Sequence, residues 1–440
     1  MPSSFIFLEG ERKLSVLWNL ISNYLYALVH FLLNPLLYAF LILIYLHYRK
    51  QMLWERQLFS VRIHSPLAQT LRSVGLGIVG GLFVSLVAGL LGIFIQVSDM
   101  WIAWAIALLL AFVRFRFLCL AYGTAIFTGL HGLAKLFPIA EEVSGIAKVW
   151  GWFAHANPAP LLALVALLHI VEAWFIRSHG DRHASPLFVE GKRGRVVGAY
   201  QLHSFWLTPV IVLTPVTEGA LQVPALFQGW PLFSPDWSMA TLGMLLLPAI
   251  TGFSAITKTK TPQEKASSLS KHLFLYSFIL LGISYVAVIV PSLVYVAALF
   301  AFFGHEWLGW LSARQEERLP PYYVPTGKGL KVLAVLPGTP ADVMGIRSGE
   351  VIVKVNGYPI SVKGDLYPAL QANPAFCKME VLTLDHEIKF TQSAIYAGQH
   401  HQLGIIVVPD ERTTHFVSMQ EIGFLGVRKH KPKDEHELGM

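Results

Sequence analysis

The chain has 440 residues, 54% of them hydrophobic and 14% charged, with a formal net charge of +7. A mean hydropathy of +0.53 excludes an ordinary soluble enzyme and indicates a polytopic membrane protein. The positive balance does not indicate nucleic acid, because Lys and Arg gather in loops between apolar runs. Cys119 and Cys377 form neither a disulfide framework nor a metal-ligand spacing, so no cofactor and no metal are expected.

Residues 1–24 mix apolar and charged side chains and read as an interfacial segment without a cleavable signal peptide. Residues 25–311 read as a transmembrane domain of seven to nine helices, each apolar run being near the roughly twenty residues that cross a bilayer. The first run, 25–46, contains Pro35. The second, 74–97, places Gly77, Gly81, Ser85 and Gly89 at every fourth position, a small-residue stripe along which helices approach closely. Packing within the chain is the simpler reading of that stripe, and a homo-oligomer formed through it is the alternative. Runs at 101–113, 117–137 and 160–176 follow, then a sixth at 203–216 and a seventh at 238–256, all read as helices. Runs at 272–289 and 291–310 form a hairpin about Val290-Pro291. Loops 47–73, 114–116, 177–202 and 257–271 are basic and alternate with loops poor in Lys and Arg, which places them, and the chain beyond Trp310, in the cytoplasm.

Residues 312–325 read as a polar linker stiffened by Pro320 and Pro321. The pattern then changes. An apolar run at 332–336 reads as a buried strand that stops at Pro337-Gly338. Thr339 stands where a helix N-cap belongs, Pro340 at the first helical position and Gly345 at the C-terminal cap of one short helix. Residues 350–355 alternate as a half-buried strand does, and Asn356-Gly357 signals a tight hairpin. A helix near 365–373 is expected to start late, because Pro368 fits only in a first turn. Segments 377–384 and 387–392 read as a hairpin about Asp385-His386, and 403–408 as a last strand. This order resembles that of the bacterial PDZ domains of proteases and membrane scaffolds, with some other small α+β domain as the alternative; the domain is assigned to 326–409 and is followed by a charged tail, 410–440. The expected fold class is therefore a polytopic α-helical membrane bundle followed by a small α+β PDZ domain.

A PDZ groove adds a partner strand to a sheet edge and holds its terminal carboxylate among backbone N–H groups. Leu403-Gly404-Ile405-Ile406 fits the carboxylate loop, with Gly327-Lys328-Gly329-Leu330 as the competing candidate, and Leu366 and Leu370 face either groove or core. Other chemistry is weaker. His305-Glu306 lacks the second histidine that an intramembrane zinc protease needs four residues on, and Gly252-Phe253-Ser254-Ala255 only partly matches a serine-protease setting. His169 and Glu172 share a helix face; structural hydrogen bonds are the simpler reading, with Glu172 paired to Arg177 or reaching outward, and a proton or ion path is the alternative. The chain reads as a non-enzymatic scaffold, with a protease carrying a regulatory PDZ domain or a transporter as the alternatives.

Several segments carry a family resemblance. They are Arg116 to Tyr122 (RFLCLAY), Leu168 to Ala173 (LHIVEA), Ser185 to Gly194 (SPLFVEGKRG), Tyr200-Gln201-Leu202 ahead of Ser204-Phe205-Trp206, and His400 to Gly404 (HHQLG). On these the chain resembles the MinJ family, membrane PDZ proteins described as cell-division topological determinants of Gram-positive rods. The resemblance implies a multi-pass cell-membrane protein at septum and poles. It further implies protein partners, a DivIVA-type protein and the MinD ATPase that carries the inhibitor MinC, which the chain would bridge.

Overall fold

The computed structural model describes residues 21–60, 63–113, 115–138, 145–191, 194–216, 226–237, 241–396 and 403–410, with Trp18 and Thr413. Most of the expected interfacial segment, Glu141-Glu142, Lys192-Arg193, Glu218, His400-His401-Gln402 and tail residues 414–440 lie outside the described residues.

Helix α1 (Ile21–Leu32) meets α2 (Pro35–Phe59) at 55°. Pro35 lacks an N–H and clashes with the preceding turn, so the first apolar run breaks there. Asn34 caps α2 by accepting the Leu36 N–H at 3.0 Å. Next come α3 (Pro66–Leu91), α4 (Val97–Val113), α5 (Leu120–Leu136), the short α6 (Ile146–His155) and α7 (Pro158–His179), which is buried along almost its whole length. The hairpin of α8 (Pro262–Ile289) and α9 (Leu293–Arg318) closes the bundle. A Thr261–Glu264 capping box starts α8 ten residues before the apolar run, so much of the expected basic loop is helical. Among the described residues, α3, α7, α8 and α9 are long and apolar enough to cross a membrane, and a fifth crossing results if α1 and α2 count as one bent span. The chain is a multi-pass membrane protein; seven to nine helices are expected from the sequence, and four or five meet that length and apolarity among the described residues.

The main correction concerns the sixth and seventh runs. They are not helices but the long strands β2 (Val196–Pro215) and β3 (Leu242–Thr257), joined by β1 (Ser185–Glu190) in an antiparallel sheet ordered β1-β2-β3. The segment VVGAYQLHSFWLTPVIVLTP is rich in β-branched and aromatic residues and carries Pro209 at its middle, both unfavourable to a helix. Hydropathy measures apolar length and does not register either feature. Pro209 pairs with Pro248 across the hairpin, in a register unbroken from Tyr200–Thr257 to Pro215–Leu242. Both prolines sit where the N–H would point out of the hairpin, so neither removes a ladder bond.

The small-residue stripe of α3 packs on this sheet and not on another helix. A methyl group at Gly77 would overlap the Leu207 carbonyl, and one at Gly81 the Pro209 carbonyl. The Ser73 hydroxyl donates to the Phe205 carbonyl, and Ser85 Oγ accepts the Ile211 N–H at 2.8 Å. Each four-residue step on the helix thus matches a two-residue step on β2. Four helical residues advance about 6.0 Å, and two strand residues about 6.8 Å, so the two rows stay in step over several turns. Gly89, last in the stripe, stands apart: a methyl group there would meet nothing within 4 Å. Its carbonyl accepts the Trp230 indole N–H at 3.2 Å.

Gly81→Val is expected to cost about 3 kcal/mol or more, because the clash is with backbone. Gly89→Ala should be neutral. Thermal unfolding of the detergent-solubilised protein separates the two; equal sensitivity at both positions would contradict the helix-on-strand packing.

Candidate functional site

Beyond α9 the chain builds a sheet ordered β8-β7-β5-β4-β9 from β4 (Leu330–Val335), β5 (Val351–Val355), β7 (Phe376–Leu382), β8 (Ile388–Ala394) and β9 (Ile405–Val407), with β6 (Tyr358–Pro359) paired to β5. Two short helices, α10 (Pro340–Val343) and α11 (Lys363–Gln371), complete it. Asn356 adopts φ +50°, as the tight β5–β6 turn requires. Thr339 does not cap α10 through its side chain; its hydroxyl donates to the Leu336 carbonyl at 2.7 Å. Nor does α11 start late. It carries Pro368 inside, and its first turn is held by Asp365, whose carboxylate accepts the Ser361 and Val362 N–H groups at 2.9 Å each. The helix is short and ends at Gln371, which limits the penalty of the missing proline N–H.

The predicted groove residues divide by depth. Leu370 and Leu403 are buried in the core of this domain, whereas Leu366 on α11 and Ile405 on β9 are half-buried and pack against the same core. Ile406 points the other way, into the core shared with the membrane bundle. Gly404 holds φ +79° beneath Thr339, where a side chain would collide with the Thr339 hydroxyl. Its carbonyl accepts the Leu336 N–H at 2.7 Å, and the Leu403 carbonyl accepts the Ala341 N–H at 3.0 Å. Among the described residues β9 is an edge strand, pairing only with β4. The competing Gly327–Gly329 loop lies elsewhere, with Gly329 against the Ile352 carbonyl of β5.

A PDZ domain family model matches residues 331–382. Over 88% of this chain and 96% of the relative, the sequence is 28% identical to the cell division topological determinant MinJ of Bacillus subtilis strain 168. It is 26% identical, over 81% of this chain and 90% of the relative, to a probable cell division topological determinant MinJ of Lacticaseibacillus paracasei. The chain resembles the MinJ family over most of its length. A shorter match, 53% identical over 51 residues, is to a putative serine protease HhoA of Synechocystis, covering 11% of this chain and 13% of that protein. The relatives matched over most of the chain are named as topological determinants and not as enzymes. The fold is a helical membrane bundle followed by an α+β PDZ domain, with the β1-β2-β3 sheet set into the bundle.

In this MinJ-like chain the PDZ domain is docked on the bundle. Helix α9 continues to Arg318, through the first half of the expected linker. Tyr322 N–H donates to the Lys258 carbonyl at 2.7 Å, and Gly198 N–H to the Tyr323 carbonyl at 3.0 Å. Tyr323 is fully buried, and the Tyr200 hydroxyl from β2 reaches the Leu333 carbonyl and, at 3.1 Å, Ser348 Oγ. Lys331 Nζ donates to the Tyr322 carbonyl at 2.6 Å and lies 4.0 Å from its ring centroid. Burial pushes the Lys331 pKa down, so its ammonium is held at some electrostatic cost, and pushes the Tyr323 pKa up, which keeps the phenol neutral.

The bundle also encloses a cavity of about 1060 Å³, lined among others by His47 of α2, Tyr122 of α5, Glu172 of α7, Gly252 of β3, His272 of α8 and His305 of α9. Glu172 does not reach Arg177 or the outside; it is buried and accepts the Gly252 N–H. The Gly252-Phe253-Ser254-Ala255 segment is strand β3 along the cavity wall. At the wall a buried Lys265–Glu316 pair, 2.9 Å apart, joins α8 to α9, and Glu316 also accepts the Lys258 and Thr259 N–H groups at 2.9 and 3.1 Å. Sequence spacing could not show this cavity, because its wall is drawn from eight separate elements, α4 and β2 among them.

Two outcomes test the domain and its docking. Tyr323→Ala should weaken docking by about 3 kcal/mol, the scale for emptying a buried aromatic site. Hydrogen exchange should then rise at Gly198 and Tyr200 while the β5–β7 amides keep their protection. The two N–H bonds hold the Asp365 pKa below the usual carboxylate value. Its stabilising contribution is thus present near neutral pH and lost as pH falls through the folded-state value. Asp365→Asn should remove that part of the acid dependence of unfolding.

Proposed function

We propose that this protein is a non-enzymatic membrane scaffold whose cytoplasmic PDZ domain captures partner segments at strand β9 and so helps to position the division septum. The observation that carries the reading is the edge strand β9 lying beside the half-buried Ile405 and Leu366, at the end of a multi-pass bundle. An added strand there gains main-chain hydrogen bonds, and the two apolar side chains give it selectivity. Leu403-Gly404 supplies the turn that would receive a terminal carboxylate. The cytoplasmic placement is supported by the basic residues on the PDZ side of the bundle, Lys258, Lys260 and Lys265 near the docking tyrosines among them.

The division role rests on the names of the relatives, topological determinants of cell division. In the fuller form of this proposal the chain links a DivIVA-type protein at poles and septa to a MinD-type ATPase. A fluorescent fusion of the intact chain in its native cell is expected to concentrate at septa and poles. Deleting residues 320–440 should disperse it or misplace septa, and Ile405→Asp should reproduce that effect with the domain still folded. Uniform membrane signal from the intact protein, with normal septa in its absence, would reject the role.

A further inference from the structure

Three side chains from separate helices converge inside the bundle. Cys119 precedes α5, His169 lies in α7 and His305 in α9, and one ligand atom from each lies within 4.8 Å of the others. Cys119 Sγ and His169 Nε2 are 3.3 Å apart. Sulfur and nitrogen ligands of one tetrahedral zinc ion stand about 3.5 Å apart, from Zn–S near 2.3 Å and Zn–N near 2.0 Å.

The surroundings orient all three. His169 Nδ1 lies 2.7 Å from the Val165 carbonyl, which can only accept, so Nδ1 carries the proton and Nε2 presents its lone pair to the sulfur. His305 Nδ1 lies 2.9 Å from the Tyr122 hydroxyl, and that hydroxyl donates to Glu306 at 2.7 Å. The Tyr122 oxygen therefore accepts from His305 Nδ1–H, and Nε2 of His305 is left as the lone pair. Arg116 pairs with Glu306 and completes the chain. Histidine metal ligands are held in this way, with the second ring nitrogen donating to a carbonyl or, through a relay, to a carboxylate. Cys119 occupies the N-cap position of α5, with its sulfur turned toward the two imidazoles.

We propose that Cys119, His169 and His305 form a zinc-binding site whose fourth position faces the bundle cavity. The donor set selects a borderline-soft ion, since thiolate with two imidazoles suits zinc and not magnesium or calcium. Cys119, Tyr122, Glu172 and His305 all line the cavity, so the fourth position opens to it. Binding releases the thiol proton and ties α5, α7 and α9 together at one point. The sequence lacks the second histidine four residues after His305, and its spacing indicates no metal; the ligands proposed here come instead from three separate elements. The proposal is independent of the PDZ reading.

The full chain, purified in detergent without a polyhistidine tag and incubated with zinc, is expected to retain about one zinc per chain after desalting. Cobalt(II) in its place should give a thiolate-to-metal charge-transfer band. Cys119→Ser and His305→Gln should lose the bound zinc and the band while eluting as the wild type does. Tyr122→Phe should keep zinc but weaken its affinity about tenfold, a loss typical of removing an outer hydrogen bond. A measurement on the unaltered chain covers the case of variants that fail to fold. Chelation should speed alkylation of Cys119 at least several-fold, zinc should restore its protection, and Cys377, buried in the PDZ core, should not respond. No retained zinc, equal zinc in the folded variants, or an alkylation rate of Cys119 indifferent to zinc would overturn the site.

Discussion

A strand edge cannot be left bare inside a bilayer. Each unpaired N–H or carbonyl there costs several kcal/mol, which is why helices and closed barrels dominate membrane architecture. The β2–β3 hairpin is neither, and α3 resolves the difficulty. On one edge β2 pairs with β3, and on the other its outward groups meet the Ser73 and Ser85 hydroxyls and the bare Cα atoms of Gly77 and Gly81. Pro209 removes one donor that the helix has no group to receive. Tyr48 reaches the Phe205 N–H at 3.4 Å, and Ile95 N–H reaches the Leu213 carbonyl at 3.0 Å. The remaining architecture is arranged around this seam, with α7 packed beneath it through Phe175 against Trp206. On the far side of the hairpin, the edge of β3 borders the cavity, where non-helical backbone is tolerated at membrane depth.

The second organising contact joins this sheet to the PDZ domain. Gly198 and Tyr200 of β2 meet Tyr323, Leu333 and Ser348, and Ala334 of β4, Ile406 of β9 and the following Val408 belong to the core of the bundle. One face of the PDZ sheet is thereby covered, while among the described residues the outer edge of β9 pairs with no further strand. Very little chain separates bundle from module. Helix α9 ends at Arg318, and the docked pair Tyr322-Tyr323 follows four residues later.

The PDZ domain was legible in the sequence because its signals are local. Asn356-Gly357, Pro340 at a helix start and Gly345 at a helix end each report a backbone requirement at one position. The apolar runs were legible as membrane-domain segments for the same reason. Their secondary structure was harder. VVGAYQLHSFWLTPVIVLTP is as apolar as a helix that spans, and only its β-branched content and Pro209 distinguish it. The stripe on α3 was visible, but its partner was not, because a four-residue helical period and a two-residue strand period fit equally well. Cys119, His169 and His305 lie 50 and 136 residues apart, so their meeting depends on the tertiary packing of α5, α7 and α9. Linear spacing carries no trace of it.

Strand β2 is twenty residues long. At about 3.3 Å per residue it extends roughly 65 Å, against a hydrocarbon layer of about 30 Å. Near its start Gly198 bridges to Tyr323 beside the PDZ domain, and near its end Leu213 bridges to Phe94. A hydrogen-bonded strand can neither stretch nor shorten without breaking its ladder. It acts as a stiff strut that ties the docking contact of the PDZ domain to the opposite end of the bundle.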